Sequence, residues 1–206
     1  MPAAQTLALF MAAALALNLT PGPDMMYVTA RSVADGRRAG VVAALGIGAG
    51  TLVHIAALAL GLAALLASVP LAYDALRIAG ALYLVVIGLQ LLLRRSRAEA
   101  MPITPAPLGT VFAQAVLTNV FNPKVALFFL AFLPQFVDPA AGSAVAQIVL
   151  LGLVFDVQGT VVNVAVAFLA SGTTARLRSN ARAVSLLQRL GGALFVALGA
   201  RLAVAK

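Results

Sequence analysis

A chain of 206 residues that is 63% hydrophobic and only 10% charged departs from soluble domains, where about a quarter of the residues carry charge, and is read as an integral membrane protein. It has no cysteine and a single histidine, His54, which excludes disulfides, thiol chemistry, cysteine-ligated metals and multi-histidine metal sites; no cofactor is expected. The formal charge of +8 sits in short loops between apolar runs, so it is a topology signal and not a nucleic-acid footprint.

An apolar helix needs about 20 residues to cross roughly 30 Å of hydrocarbon. Six stretches reach that length: 4–31, 40–67, 72–93, 109–133, 143–170 and 184–204. The expected fold is an all-α membrane protein of six transmembrane helices, with no room for a soluble domain. Residues 1–16 carry no Lys or Arg, whereas a secretory signal opens with a basic region. Despite a cleavage-like Ala14-Leu15-Ala16, they are read as a retained first span.

The first segment is interrupted by LNLTPGPDMMYV, residues 17–28. A continuous helix from Ala3 to Ala30 would run about 42 Å, longer than the hydrocarbon layer. After Thr20, Pro21 and Pro23 remove two backbone donors, and Gly22 opens unusual φ values. Freed backbone at membrane depth is tolerated only inside protein or beside a water-filled cavity. A broken helix offers an N-terminal half-helix end that suits an anion, and free carbonyls that suit a cation. Asp24 follows at once. A charge at a helix centre costs about 2.5–3.5 kcal/mol on insertion scales, so such residues ordinarily face a cavity and carry function. The plainer readings are a kink used for packing and an N-cap role for Asp24.

Segment two places Ile47, Thr51 and His54 on one face. His54 is a candidate proton acceptor, because histidine changes charge near neutral pH; a structural hydrogen bond is the alternative. Segment four repeats the interruption at Asn122, Pro123 and Lys124, where Lys124 is a functional cation, a snorkelling side chain or a simple partner for an acid. Segment five carries Asp156, Thr160 and Asn163 at i, i+4, i+7, again one face, with Gln158 turned away. Gly46, Gly50, Gly152 and Gly159 are expected at close helix contacts.

The halves resemble each other in order. GTLVHIA (50–56) matches GTVVNVA (159–165), RIAGALYLVVIG (77–88) matches RLGGALFVALG (189–199), and Asn18 before Pro21 matches Asn119 before Asn122-Pro123. Three segments per half, an odd number, make this an inverted repeat, a common build of secondary transporters. Residues 1–98 form one repeat, 99–108 a cytoplasmic linker and 109–206 the other, with helices one and four both broken. Asp156 has no acidic counterpart; its repeat position is Ile47. Nine of the fourteen basic residues follow segments one, three and five: Arg31, Arg37, Arg38, Arg94, Arg95, Arg97, Arg176, Arg178 and Arg182. The positive-inside rule makes those loops cytoplasmic and both termini periplasmic; Arg201 and Lys206 vote the other way.

TPGPD at 20–24, the glycine-rich segment ending in His54, and TNVFNPKVALFFLAFLPQFVDP at 118–139 together resemble the LysE/RhtB family, the lysine and homoserine/threonine exporters, over nearly the whole chain. The resemblance implies a six-helix exporter of amino acids in the bacterial inner membrane, run on the proton gradient. It leaves the amino acid unspecified. The wider superfamily includes thiol-redox carriers, against which the absence of cysteine argues.

The expected partners are a small-molecule substrate and the lipid bilayer, with no nucleic acid; a homo-oligomer is left open. Substrate contacts are expected from Asp24, Lys124, Asp156, Asn122, Asn163 and Thr160, and proton coupling from Asp24, Asp156 and His54. Thr20, Pro21, Gly22, Pro23 and Pro123 form the breaks. The alternative is a non-transporting scaffold whose charges are internal salt bridges. Enzyme activity lacks support, since neither HExxH nor GxSxG with a paired base occurs. A channel lacks a ring of like charges.

Overall fold

The computed structural model describes residues 4–68 and 104–171, with single helical positions among 78–93 and 189–200. Every regular element among the described residues is a helix. Helices α1 (Ala4–Leu19) and α2 (Pro23–Ala34) form the first segment and meet at 50°. Gly22 is the N-cap of α2, and Pro23 is its first residue, where a missing N–H costs nothing. Asp24 is therefore not the cap but the second helical residue, at the positive end of the helix dipole.

Where the sequence placed a loop at 32–39, the chain barely pauses. Asp35 caps α2, its N–H donating to Arg31 O. Gly36, at φ 83°, turns the backbone directly into α3 (Gly36–Ser68). Arg31, counted above among loop arginines, lies inside α2 and is buried.

The second broken segment is α4 (Leu108–Val120) followed by α5 (Pro123–Leu127), with a 45° bend between α4 and the run Pro123–Phe136. Beyond α5 the chain widens into a π turn at Phe128–Phe132 and tightens into a 3-10 turn at Leu133–Phe136. Pro134 cannot supply an N–H to Leu130, so regular α geometry fails there. Helix α6 (Ala144–Ser171) completes this region.

Within α3 the run Gly36–Gly61 is long and apolar enough to cross a membrane, and so is α6; there are up to four spans if each bent pair is counted as one. Segments three and six lie outside the described residues except for isolated helical positions, as do the chain ends and the arginines at 94, 95, 97, 176, 178 and 182. At one such position, Gly88 packs on Gly192 and Val196 so closely that a β-carbon would stand 2.7 Å from each.

Helix α3 is central, packed against both α4 and α6. The four glycines expected at crossings all sit at them. A β-carbon on Gly46 would come within 2.6 Å of Ala115, on Gly50 within 2.7 Å of Asn119, on Gly152 within 2.6 Å of Ile55 and on Gly159 within 3.0 Å of Asn18.

Two apolar clusters result. One gathers Phe10, Phe128, Phe129, Phe132, Phe136 and Phe155 with Leu17 and Ile55. The other joins Tyr27, Val28, Ala43, Ile47, Val111 and Ala167. Between them, near the midpoints of α3 and α6, lies a layer of polar side chains.

Gly50→Ala is expected to destabilise the protein by about 1–3 kcal/mol through overpacking. Gly61→Ala, with nothing within 4 Å of the added carbon, should be neutral or gain about 0.8–1 kcal/mol of helix propensity. Thermal denaturation of the two variants in detergent checks the contrast.

Candidate functional site

The site is built from what the prolines take away. In a regular helix Leu17 O would accept from the N–H four residues on, but that residue is Pro21 and has none. Leu17 O accepts instead from Thr20 N at 3.1 Å and from Lys124 Nζ at 3.2 Å. Lys124 Nζ also donates to Thr20 O at 3.0 Å. The Thr20 hydroxyl returns to Ala16 O at 2.7 Å. An ammonium thus sits on the carbonyl end of α1, the negative end of its dipole.

The second break mirrors this. Pro123 deprives Asn119 O of its donor, and that oxygen is met by Asn122 N at 2.9 Å and by His54 Nε2 at 3.1 Å. A carbonyl only accepts, so Nε2 carries the hydrogen in this contact. The His54 ring stacks on Phe129 with centroids 5.6 Å apart. Asn122 caps α5, its Oδ1 accepting from Lys124 N at 3.0 Å.

Asp24 and Lys124 occupy the same place, the second residue of the helix after each break. Asp24 is 8% exposed. Its Oδ2 accepts from Asn119 Nδ2 at 2.9 Å, while Oδ1 has no hydrogen-bond partner. Lys124, Asn122 and His54 are within electrostatic reach of the carboxylate. Asn119 also accepts a long 3.4 Å bond from Thr51 Oγ1. Its own approach to α3 is possible because residue 50 lacks a side chain. Asn119, 1% exposed, thus ties α2, α3 and α4 together.

Asp24, Lys124, Asp156, Thr160 and Asn163 line a single small cavity between the halves. Asn18, Thr51 and Asn119 complete its polar wall; Met25, Ile47, Val125 and Phe155 form an apolar wall. Its free volume is about 20 Å³, room for a water molecule or two and not for an amino acid. Asp156 has Thr160 beside it one turn on, and its Oδ1 is buried without a hydrogen-bond partner. Asn18 Nδ2 donates to Phe155 O at 3.3 Å, joining α1 to α6.

Of the residues expected from the sequence, Asn122 is the cap of α5 with its side chain beside Asp24, and neither it nor His54 is in the cavity lining. Gln158 has a buried side-chain oxygen with no hydrogen-bond partner. Asn119, Thr51 and Asn18 were not expected as site residues. The repeat carried a signal for two of them, since Asn18 and Asn119 each stand in the last turn before a break.

A second polar network lies outside the cavity lining. Arg31 donates through Nε to Tyr27 Oη at 3.1 Å, through Nη1 to Asp35 Oδ2 at 2.9 Å and Thr104 O at 3.0 Å, and through Nη2 to Gln114 Oε1 at 2.7 Å. Tyr27 Oη lies 3.1 Å from both Val111 O and Gln114 Oε1. The guanidinium clamps α2 to the start of the second half.

Residues 15–206 match the family model described as LysE type translocator. A leucine efflux protein of Salmonella typhimurium is 27% identical over 196 residues, 94% of this chain and 92% of that protein. A leucine efflux protein of Enterobacter sp. is 28% identical over 198 residues, covering 94% and 93%. An uncharacterised membrane protein of Pseudomonas aeruginosa is 32% identical over 193 residues, covering 91% and 89%. No solved structure matches.

Asn119→Leu should cost about 1–3 kcal/mol for each buried group it leaves unsatisfied, Asp24 foremost. Thr51→Val should cost less, because Ile47 O keeps its helical backbone donor and the bond lost at Asn119 Oδ1 is a long one of 3.4 Å. Melting temperatures in detergent compare the two.

Proposed function

Because the chain belongs to the LysE type translocator family, we propose that it is a secondary transporter that exports amino acids from the cytoplasm and is driven by the proton gradient. One observation carries the reading. Asp24 and Lys124, opposite charges at equivalent positions of two broken helices, line the same cavity midway between two apolar clusters. A zwitterion needs such a pair, one charge for its ammonium and one for its carboxylate. Asp156, Thr160, Asn163 and the cap Asn122 complete the polar surroundings. The efflux of leucine named for two relatives makes aliphatic amino acids the first to test, and Met25, Ile47, Val125 and Phe155 offer such a side chain an apolar wall.

The cavity as it stands is too small to hold substrate, so transport requires the halves to part on either side in turn. The Arg31 network ties the halves together on one side of the polar layer and the phenylalanine cluster packs them on the other, and each would have to loosen in turn. Asp24, Asp156 and His54 are the proton carriers in this scheme. The protein sits in the inner membrane as six spans in two inverted repeats, with periplasmic termini. The arginine distribution supports that orientation even with Arg31 inside a helix, since Arg37 and Arg38 are exposed at the start of α3.

Counterflow of labelled leucine in proteoliposomes tests the reading. The wild type should exchange leucine, while Asp24→Asn and Lys124→Gln, both folded, should lose exchange by at least tenfold. Wild-type protein inert towards every amino acid tried would favour a scaffold. Two folded variants exchanging at wild-type rates would remove the charges from the mechanism.

Orientation is tested by a reporter fused after Ser96. It should be active in the cytoplasm; a periplasmic signal would reverse the topology.

A further inference from the structure

Lys124 is the residue whose placement asks most of the chain. It stands at the N-terminal end of α5, where the dipole disfavours a cation. It reaches across to two carbonyls of the other half, Leu17 O at 3.2 Å and Thr20 O at 3.0 Å. Gly22 leaves the space for it: a β-carbon there would stand 3.1 Å from Nζ. Asp24 is close enough to act on the ammonium electrostatically. It turns Oδ2 to Asn119 and keeps Oδ1 unpartnered, though only 8% of the residue is exposed. Two outward carbonyls and a carboxylate oxygen with spare capacity are the acceptors a primary ammonium asks for, since it has three donors and no acceptor.

We infer that Leu17 O, Thr20 O and Asp24 form a seat for a primary ammonium group, which the Lys124 side chain fills in this structure and the α-ammonium of a substrate fills during transport. This rests on the exporter reading and deepens it. Lys124 is then a tethered stand-in for substrate. A free amine alone displaces it poorly, because it brings no anion of its own to compensate the ammonium that leaves the two carbonyls. An α-amino acid displaces it readily, because the substrate's own carboxylate receives the departing ammonium. The preference for zwitterions over simple amines follows from this exchange. The empty protein also never presents an uncompensated Asp24 to the membrane interior.

Lys124→Ala removes the stand-in and leaves a gap the length of propylammonium. Thermal melting of this variant in detergent, titrated with propylammonium chloride, reads the seat directly. The expected result is a saturable rise of several degrees in the variant and none in the wild type. Tetramethylammonium, which has charge but no N–H, and sodium chloride at equal ionic strength should give no such rise. Adding Asp24→Asn to Lys124→Ala should abolish the response. If Lys124→Ala cannot be recovered folded in plain buffer, purification with propylammonium present replaces the titration, and recovery of monodisperse protein only with the amine supports the seat. No response to propylammonium, no recovery with it, or an equal response to tetramethylammonium or sodium overturns the proposal. These readouts need no transport, so a missing seat leaves the export reading intact, and failed counterflow leaves the seat standing.

Discussion

A proline inside a membrane helix strands a carbonyl four residues earlier, and an unsatisfied polar group away from water costs several kcal/mol. At Pro21 and at Pro123 this chain meets that constraint with a side chain borrowed from the other half. Lys124 from the second half covers Leu17 O in the first, and His54 from the first half covers Asn119 O in the second. Neither broken segment is complete by itself. The breaks therefore hold the halves in register, and the polar layer lies where the breaks are. The glycines of α3 and α6 and the buried Asn119 serve this arrangement by letting backbones approach closely enough for borrowed donors to reach.

The helices on either side of the polar layer are held together by different physics. On one side the phenylalanine cluster packs rings at centroid separations such as 4.6 Å for Phe128 with Phe155 and 4.8 Å for Phe132 with Phe136. Such contacts are apolar, and their preference for tilted and edge-to-face geometry adds only about 0.5–1.5 kcal/mol per pair. On the other side Arg31 is held by several directional bonds to Tyr27, Asp35, Thr104 and Gln114. Separating a buried cation from its partners is costly unless water enters as they part.

The sequence was legible where a residue type conflicted with its surroundings. Prolines in apolar runs located both breaks, and charges beside them located Asp24 and Lys124. Helical spacing put Asp156, Thr160 and Asn163 on one face. Partners were not legible. Nothing local says that Lys124 would reach backbone carbonyls of α1, or that His54 would bond to a freed carbonyl, because those contacts depend on how two distant segments pack. Asn119 was seen as a repeat marker and missed as a hub, since an asparagine near a helix end reads equally well as a terminator. Arg31 was misplaced because α2 runs one turn beyond the apolar stretch, carried by bonds an arginine-rich segment does not advertise. The six spans and their inverted symmetry were read from segments three and six as much as from the rest, and those lie largely outside the described residues.

The junction at Asp35 and Gly36 has a mechanical consequence. With a single residue between α2 and α3, there is no slack to absorb a change of tilt, so any swing of α2 is handed directly to α3. Helix α3 is a rod of 33 residues, about 50 Å long. A pivot of about 5° at its base displaces the far tip by roughly 4 Å over that length. The short joint thus makes α3 a lever arm, converting a small rotation beside the break into a displacement at the opposite face as large as a side chain.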